Sequence, residues 1–358
     1  FRDLVQLPDG ELRHYGILRE NHDTIPIYIA SRDGGLSWQQ YPVPEGCPGA
    51  CVQSPWSGSW ITLIDAHDMK NDLHLHDVPL GLSPGLHVCR SSVSLDGPFE
   101  FIRVSETRHA MPRQPLALHT RQRWILACHR KDEEGKNRVV IFRSDDDGKS
   151  WKETILGTIP PHVATGNHHG VRWQNYGCEP TVVELSTGRL WVVIRTSQDN
   201  HYESFSDDGG ETWTPPQPSR FFGTITMPTF TRLRDGRLLF FWCNTTPLPE
   251  LDHEQQKELV DWEKQGYGED VFTNRDAFHA AISEDDGKTW IGFREVLLNE
   301  RRNDSDFRTS GGNGDCLDKS VHQSQAVELP GGKVLVSVGQ HPLCRKLILF
   351  DPAWLYET

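Results

Sequence analysis

No stretch of this 358-residue chain approaches the run of about 18 to 20 apolar residues that a membrane-spanning helix requires, so no membrane span is expected in it. Residues 1–20 also lack the charged-then-apolar pattern of a signal peptide. Because Phe1 already opens a strand-like run, removal of a leader ahead of it stays open; a soluble chain is expected, with a secreted or periplasmic origin among the alternatives. Basic charge is in deficit. Lys and Arg total 37 against 50 Asp and Glu, a net charge of −13, which argues against nucleic acid or an anionic membrane as partner. A small anionic ligand remains compatible if arginines converge locally. The eight cysteines form no repeated pairs, and Cys128 and Cys243 sit inside apolar runs, so buried free thiols are expected. Cys47 and Cys51 make a C-x3-C with no second pair, which leaves their pairing open.

Turn formers and tryptophan are plentiful: 31 Gly, 23 Pro and 12 Trp punctuate many short segments. The eight residues SDDGGETW at 206 recur as SRDGGLSW at 31, SDDDGKSW at 144 and SEDDGKTW at 283, always Ser-x-Asp-x-Gly-x-Ser/Thr-Trp. Each copy follows an alternating, strand-like run such as IPIYIA or RVVIFR. A second signal, a tight Gly turn between β-rich runs, appears as LPDGEL at 7, LSTGRLWVVI at 185, LRDGRLLFFW at 233 and LPGGKVLVSV at 329. The unit is strand, Gly turn, strand, connection, strand, box, strand. Four antiparallel strands repeated in this way make a propeller blade. Six units fit, near 1–45, 52–105, 112–158, 177–218, 226–295 and 320–357; the second carries a degraded box, SLDGPF at 94, and the sixth has none. The expected fold is therefore all-β, a single six-bladed propeller of four-stranded antiparallel blades. In each box the aspartate is expected to accept N–H bonds across its own turn while Trp38, Trp151, Trp213 or Trp290 is buried in the blade. A Ca²⁺-loop reading of SDDDG fails for want of a downstream Glu, so the boxes read as staples of the fold and not as active sites.

These boxes resemble the Asp-boxes of the sialidase (neuraminidase) superfamily, and the resemblance runs along the whole chain. It implies a glycosidase site with three arginines on the substrate carboxylate, an aspartate acid/base, and a tyrosine nucleophile activated by a glutamate. Guanidinium forks match a carboxylate, and an oxocarbenium-like transition state needs nearby negative charge. In CEPTVVELSTGRLWVVIR, Glu179 and Arg195 flank the Gly-turn strand pair as the family's glutamate and second arginine do. Arg275, opening the strand into the last box, matches the third arginine. Arg2 in FRDLVQLPDG matches the first, although Asp3-Leu4 stands where the family has Ile-Pro. Arg19 and Asp23, in ILRENHDTIP, match a further site arginine and the acid/base.

Blade six departs from the pattern. Aligning SVHQSQAVELPGG on its Gly turn puts Gln323, beside His322, where the resemblance calls for a tyrosine. Glutamine is no such nucleophile; His322 is left as a base, a proton shuttle or a hydrogen-bonding neighbour. Tyr176, in GNHHGVRWQNYGCE with His168 and His169, is the nearest tyrosine to Glu179 in sequence. Residues 249–270 read as a helical insertion, and His67, His74 and His76 as rim or substrate contacts, since no ligand spacing fixes a metal. No cofactor or metal is expected. The resulting expectation is an exo-glycoside hydrolase acting on an acidic, keto-acid or uronic-type sugar. Its rivals are a carbohydrate-binding propeller without catalysis and a propeller lyase or hydrolase of acidic polysaccharide using histidine chemistry.

Overall fold

The computed structural model describes residues 3–20, 23–66, 81–163, 174–223, 225–245, 275–300, 320–339 and 345–357. They form six antiparallel sheets arranged as the blades of a propeller. Blade 1 holds β1 (Leu4–Gln6), β2 (Leu12–Glu20), β3 (Asp23–Ser31) and β4 (Gln39–Pro42); blade 2 holds β5 (Val52–Gln53), β6 (Trp60–Ala66), β7 (Gly85–Ser91) and β8 (Glu100–Ser105). Blade 3 holds β9 (Leu116–Ala117), β10 (Trp124–Lys131), β11 (Asn137–Ser144) and β12 (Lys152–Ile155); blade 4 holds β13 (Cys178–Glu184), β14 (Leu190–Arg195), β15 (Asn200–Ser206) and β16 (Gln217–Phe222). Blade 5 holds β17 (Thr229–Arg232), β18 (Leu238–Trp242), β19 (Ala277–Ser283) and β20 (Ile291–Leu298). Blade 6 holds, among the described residues, β21 (Gln325–Glu328), β22 (Val334–Val338) and β23 (Lys346–Phe350).

Burial explains the composition of the strands. The second strand of a blade lies between two neighbouring sheets, so LWVVIR in β14 and LLFFW in β18 are buried at every position. The outermost strand is a solvated edge, and QQYP in β4 is exposed throughout. The apolar core is correspondingly divided into clusters, one at each blade interface. Ile125, Ile141, Leu190 and Val192 join blades 3 and 4; Leu239, Phe278, Val334 and Val336 join blades 5 and 6. Leu4, Leu12, Leu329 and Leu335 close the ring between blades 6 and 1. A single side chain reinforces that closure: Gln325 Oε1 accepts the N–H groups of Asp3 (2.7 Å) and Leu4 (3.1 Å), and its amide donates to Leu4 O at 2.7 Å. Among the described residues no helix is long and apolar enough to cross a membrane.

The boxes repeat one hydrogen-bond pattern four times. In blade 4, Asp208 Oδ1 accepts from Glu211 N–H at 2.9 Å and Thr212 N–H at 3.0 Å, Ser206 Oγ accepts from Gly210 N–H at 2.8 Å, and Trp213 Nε1 donates to Gly210 O at 3.2 Å. The tryptophans depart from expectation. Trp38, Trp151, Trp213 and Trp290 occupy equivalent positions but are half-buried, packed against the margins of four separate clusters. The reason is the indole N–H, which stays with the turn carbonyl and keeps the ring at the rim. Box glycines press on the preceding blade. A Cβ on Gly210 (φ +90) would stand 3.0 Å from Ile125, and one on Gly148 3.0 Å from Ile61. Cys47 and Cys51 are buried thiols that are not bonded to each other, which answers the pairing left open above.

Candidate active site

Strand direction sorts the two ends of the propeller. The Gly turns between first and second strands and the boxes between third and fourth must lie at one end, because neighbouring strands run antiparallel. Residues before the first and third strands, and at the end of the second, therefore gather at the other. That end collects the buried polar side chains Asp3, His129, Glu179, Arg195, Arg275 and His322, each no more than 8% exposed. Strained backbone gathers there too. Met111, Tyr176, Glu179, Ile225 and Gln323 all have φ between +42° and +60° in the segments entering the inner strands of blades 3 to 6. For a β-branched residue such as Ile225 this is a rarely occupied conformation, and such strain concentrates at functional sites.

Glu179 sits in a bulge where the β13–β14 register shifts between Cys178 and Thr181. Cys178 pairs with Arg195, so the hairpin itself brings glutamate and arginine together: Arg195 Nη1 donates to Glu179 Oε2 at 2.8 Å, with both side chains buried. Burial alone would raise the Glu179 pKa. The Arg195 guanidinium, backed by His129 and Arg113, instead brings it below the usual carboxylate value, so Glu179 is anionic at neutral pH. Glu179 N–H donates to His129 Nδ1 at 3.3 Å, which leaves the His129 proton on Nε2. Burial pushes the pKa of His129 down to about 4, and that of His201 likewise. His201 donates through Nε2 to Thr226 O at 2.9 Å. Both rings are neutral at pH 7.

Blade 6 supplies the facing segment. Val321 N–H donates to Arg275 O at 2.8 Å, Gly339 N–H donates to His322 O at 2.9 Å, and Met227 N–H donates to His322 Nδ1 at 3.1 Å. His322 is thus held as the Nε2–H tautomer. Arg345 bonds Gln323 O at 3.2 Å and Ser337 Oγ at 2.6 Å, and pairs with Asp3 Oδ2 at 2.8 Å. His14 Nε2 (2.9 Å) and Ser337 Oγ (2.8 Å) also meet the Asp3 carboxylate. Burial would raise the Asp3 pKa, but Arg345 and its neighbours hold it well below the ordinary value.

The structure brings Glu179, Arg195, Arg275, His322 and Gln323 to one end. Cys243, directly after β18, is a buried thiol whose pKa burial raises, and the charges of Arg275 and Arg195 oppose that rise. Tyr176 is half-buried with the Lys136 ammonium 5.5 Å from its ring centre. Asp23 and Arg19 lie in the β2–β3 hairpin, where Asp23 pairs with Glu20 and Arg19 with Thr24; nothing further is described of their side chains. Arg2, His67, His74, His76, His168, His169 and the 249–270 insertion lie outside the described residues. Sequence reasoning missed Arg113, His129, His201, Arg345 and Asp3. The last had a visible signal, an acidic residue where the resemblance calls for an apolar one. Among the described residues no group of three or more His, Cys, Asp or Glu side chains is arranged to hold a metal ion. A cleft of about 510 Å³ opens at the opposite end, between blades 6 and 1, and none of the expected site residues lines it.

Residues 104–334 match the family model described as a BNR repeat-like domain. No sequence among curated proteins matches the chain. Solved structures similar to it include a protein of unknown function from Dyadobacter fermentans, 16% identical, covering 97% of this chain and 92% of that one at a TM-score of 0.57. A Hadza microbial sialidase is 14% identical over 98% of this chain and 65% of its own, with a TM-score of 0.59. The α-L-arabinanase of Penicillium chrysogenum is 13% identical over 97% and 92%, with a TM-score of 0.55. The chain spans about two thirds of the sialidase and nearly all of the other two. At these identities the likeness speaks for the fold, while the family match covers more than half of the sequence. The chain belongs to the BNR repeat-like domain family, and its fold is a six-bladed propeller similar to those of these solved structures.

Proposed function

We propose that the protein is a sialidase-like exo-glycoside hydrolase acting on an acidic sugar of keto-acid or uronic type. One observation carries this reading: the buried, ionised Glu179 paired with Arg195 at the propeller end where Arg275 also lies. In the proposed mechanism Arg195, Arg275 and Arg2 hold the substrate carboxylate, with Arg19 beside them. Asp23 protonates the leaving oxygen. Gln323 cannot attack the anomeric carbon, so Glu179 takes a proton from water, which attacks directly and inverts the anomeric centre. His322, with Nδ1 occupied by a backbone N–H, offers an Nε2–H donor and not a base. The same engagement of His129 weighs against the histidine-based lyase reading. Gln323 favours the second reading, a propeller that binds acidic carbohydrate without turnover.

The test is a panel of glycosidically linked keto acids and uronic acids followed by proton NMR. Inverted product, with turnover abolished in Glu179→Gln, supports the proposal. A retained anomer would overturn the direct-water step and direct attention to Tyr176 as the displaced nucleophile. Binding of the panel without cleavage would establish the lectin-like reading instead.

A further inference from the structure

We infer that Arg113 is a positioning residue for this site: its guanidinium, delivered from blade 3, fixes the Met227–Thr229 segment of blade 5, which in turn sets His322 and Ser324 on either side of Gln323. The importance of that segment rests on the functional reading above; the linkage itself is geometric. Arg113 lies just ahead of β9, where its own N–H donates to Ala127 O at 3.0 Å. Its side chain is only 8% exposed. Nη2 donates to Pro228 O at 2.7 Å and to Thr229 Oγ1 at 3.2 Å, and Nη1 contacts Met227 Sδ at 3.1 Å. Three consecutive residues are thereby gripped by one planar group, a task matched to the rigid fork of arginine and beyond the single ammonium of lysine.

Each gripped residue hands the constraint on. Met227 donates its N–H to His322 Nδ1 at 3.1 Å. Thr229 Oγ1 donates to Ser324 O at 3.1 Å and accepts from Ser324 Oγ at 3.0 Å as well as from Arg113, so its one donor and two acceptor sites are all engaged. A buried guanidinium held by neutral groups is costly, and burial lowers the Arg113 pKa to about 10, with the nearby Glu179 carboxylate partly restoring it. The charge relation is mutual, since Arg113 is among the groups that keep Glu179 ionised. Arg113 therefore acts on both sides of the candidate site through other residues.

The test uses protein labelled with ¹⁵N-histidine, His322 being assigned by the signal lost in His322→Gln. Wild type is expected to show an Nδ1 acceptor and a protonated Nε2. Arg113→Met, which keeps bulk and removes every donor, should move His322 towards tautomer averaging, and Arg113→Lys should restore part of the wild-type pattern. If an acidic glycoside is turned over, kcat should fall about 10- to 100-fold in Arg113→Met with KM little changed, as misplacement and not lost binding predicts. The tautomer readout needs no activity, so failure to find a substrate leaves it intact. A folded Arg113→Met with unchanged His322 signals overturns the inference. Should that variant not fold, Thr229→Val removes the hydroxyl that joins Arg113 to Ser324 and leaves the Arg113 contacts to Met227 and Pro228. Unchanged Ser324 amide and His322 signals there would overturn it equally.

Discussion

Two histidines near the candidate site make its neutral frame measurable. His129 and His201 titrate at about 4 in the fold, against 6.5 for an ordinary imidazole. Burial is the main cause in both; around His129 lie Glu179, Arg195, His109 and Lys131, and around His201 lie the Thr226 carbonyl and Arg195. Because the folded value is depressed, the unfolded chain binds the proton first. Stability is then full above pH 6.5 and is lost as pH falls towards 4. At about 1.4 kcal/mol per pH unit, each ring contributes up to about 3 kcal/mol across that window. Glu179 and Asp3, whose values are also lowered, lose their contributions only below the ordinary carboxylate range, so from pH 6.5 to 4.5 the loss of stability comes from histidine, opposed in part by Glu203, whose value burial raises. His109 and His87 are lowered too and add to the slope. Urea unfolding at pH 7.0, 5.5 and 4.5 reads this directly. In His201→Gln the amide can still donate to Thr226 O but does not titrate, and the slope should flatten by about 1.4 kcal/mol per pH unit. Identical slopes in variant and wild type, or maximal stability near pH 5, would refute the buried neutral frame.

The remaining expectations concern single contacts. Arg195→Ala should weaken binding of an acidic sugar by about 1.5 to 3 kcal/mol while leaving its carboxamide analogue much less affected, measured by calorimetry; equal losses would mean that the arginine does not read the carboxylate. Asp147→Ala removes an acceptor for Ser54 Oγ (2.6 Å), Ser57 Oγ (2.5 Å), Trp124 Nε1 (3.1 Å) and Arg90 Nη2 (3.2 Å) at the junction of blades 2 and 3. Leaving those donors unpaired should cost about 2 to 3 kcal/mol, read from the urea midpoint, without altering the site end.

Legibility in the sequence followed the range of the interactions. The boxes were readable because aspartate, serine, glycine and tryptophan satisfy one another within eight residues, and four copies imposed the blade period. Their tryptophans were misjudged because composition records how apolar an indole is and not where its N–H must point. Glu179 and Arg195 were readable for a related reason: one hairpin joins them, so strand pairing alone makes them meet. Arg113, His129 and His201 had no such signal. Arg113 finds its partners at 227 to 229, two blades away, and nothing in MPRQPLAL announces that the guanidinium crosses to them.

Asp3 and Arg345 show how a departure at one end of the chain is explained at the other. A carboxylate where the resemblance calls for an apolar side chain would be intolerable in a fully buried position by itself, since desolvating an unpaired charge costs several kcal/mol. Arg345, from the segment entering β23, meets Asp3 at 2.8 Å and also binds the carbonyl of Gln323 and that of Gly339. The change beside Arg2 and the strained backbone at Gln323 are therefore joined through one guanidinium. Replacing Asp3 alone would strand a buried arginine, and replacing Arg345 alone a buried aspartate. The double replacement Asp3→Leu with Arg345→Met is then expected to be less harmful than either single one, a coupling that a thermodynamic double-mutant cycle measures. Additive effects in that cycle would separate the two departures and leave Gln323 to be explained without Asp3.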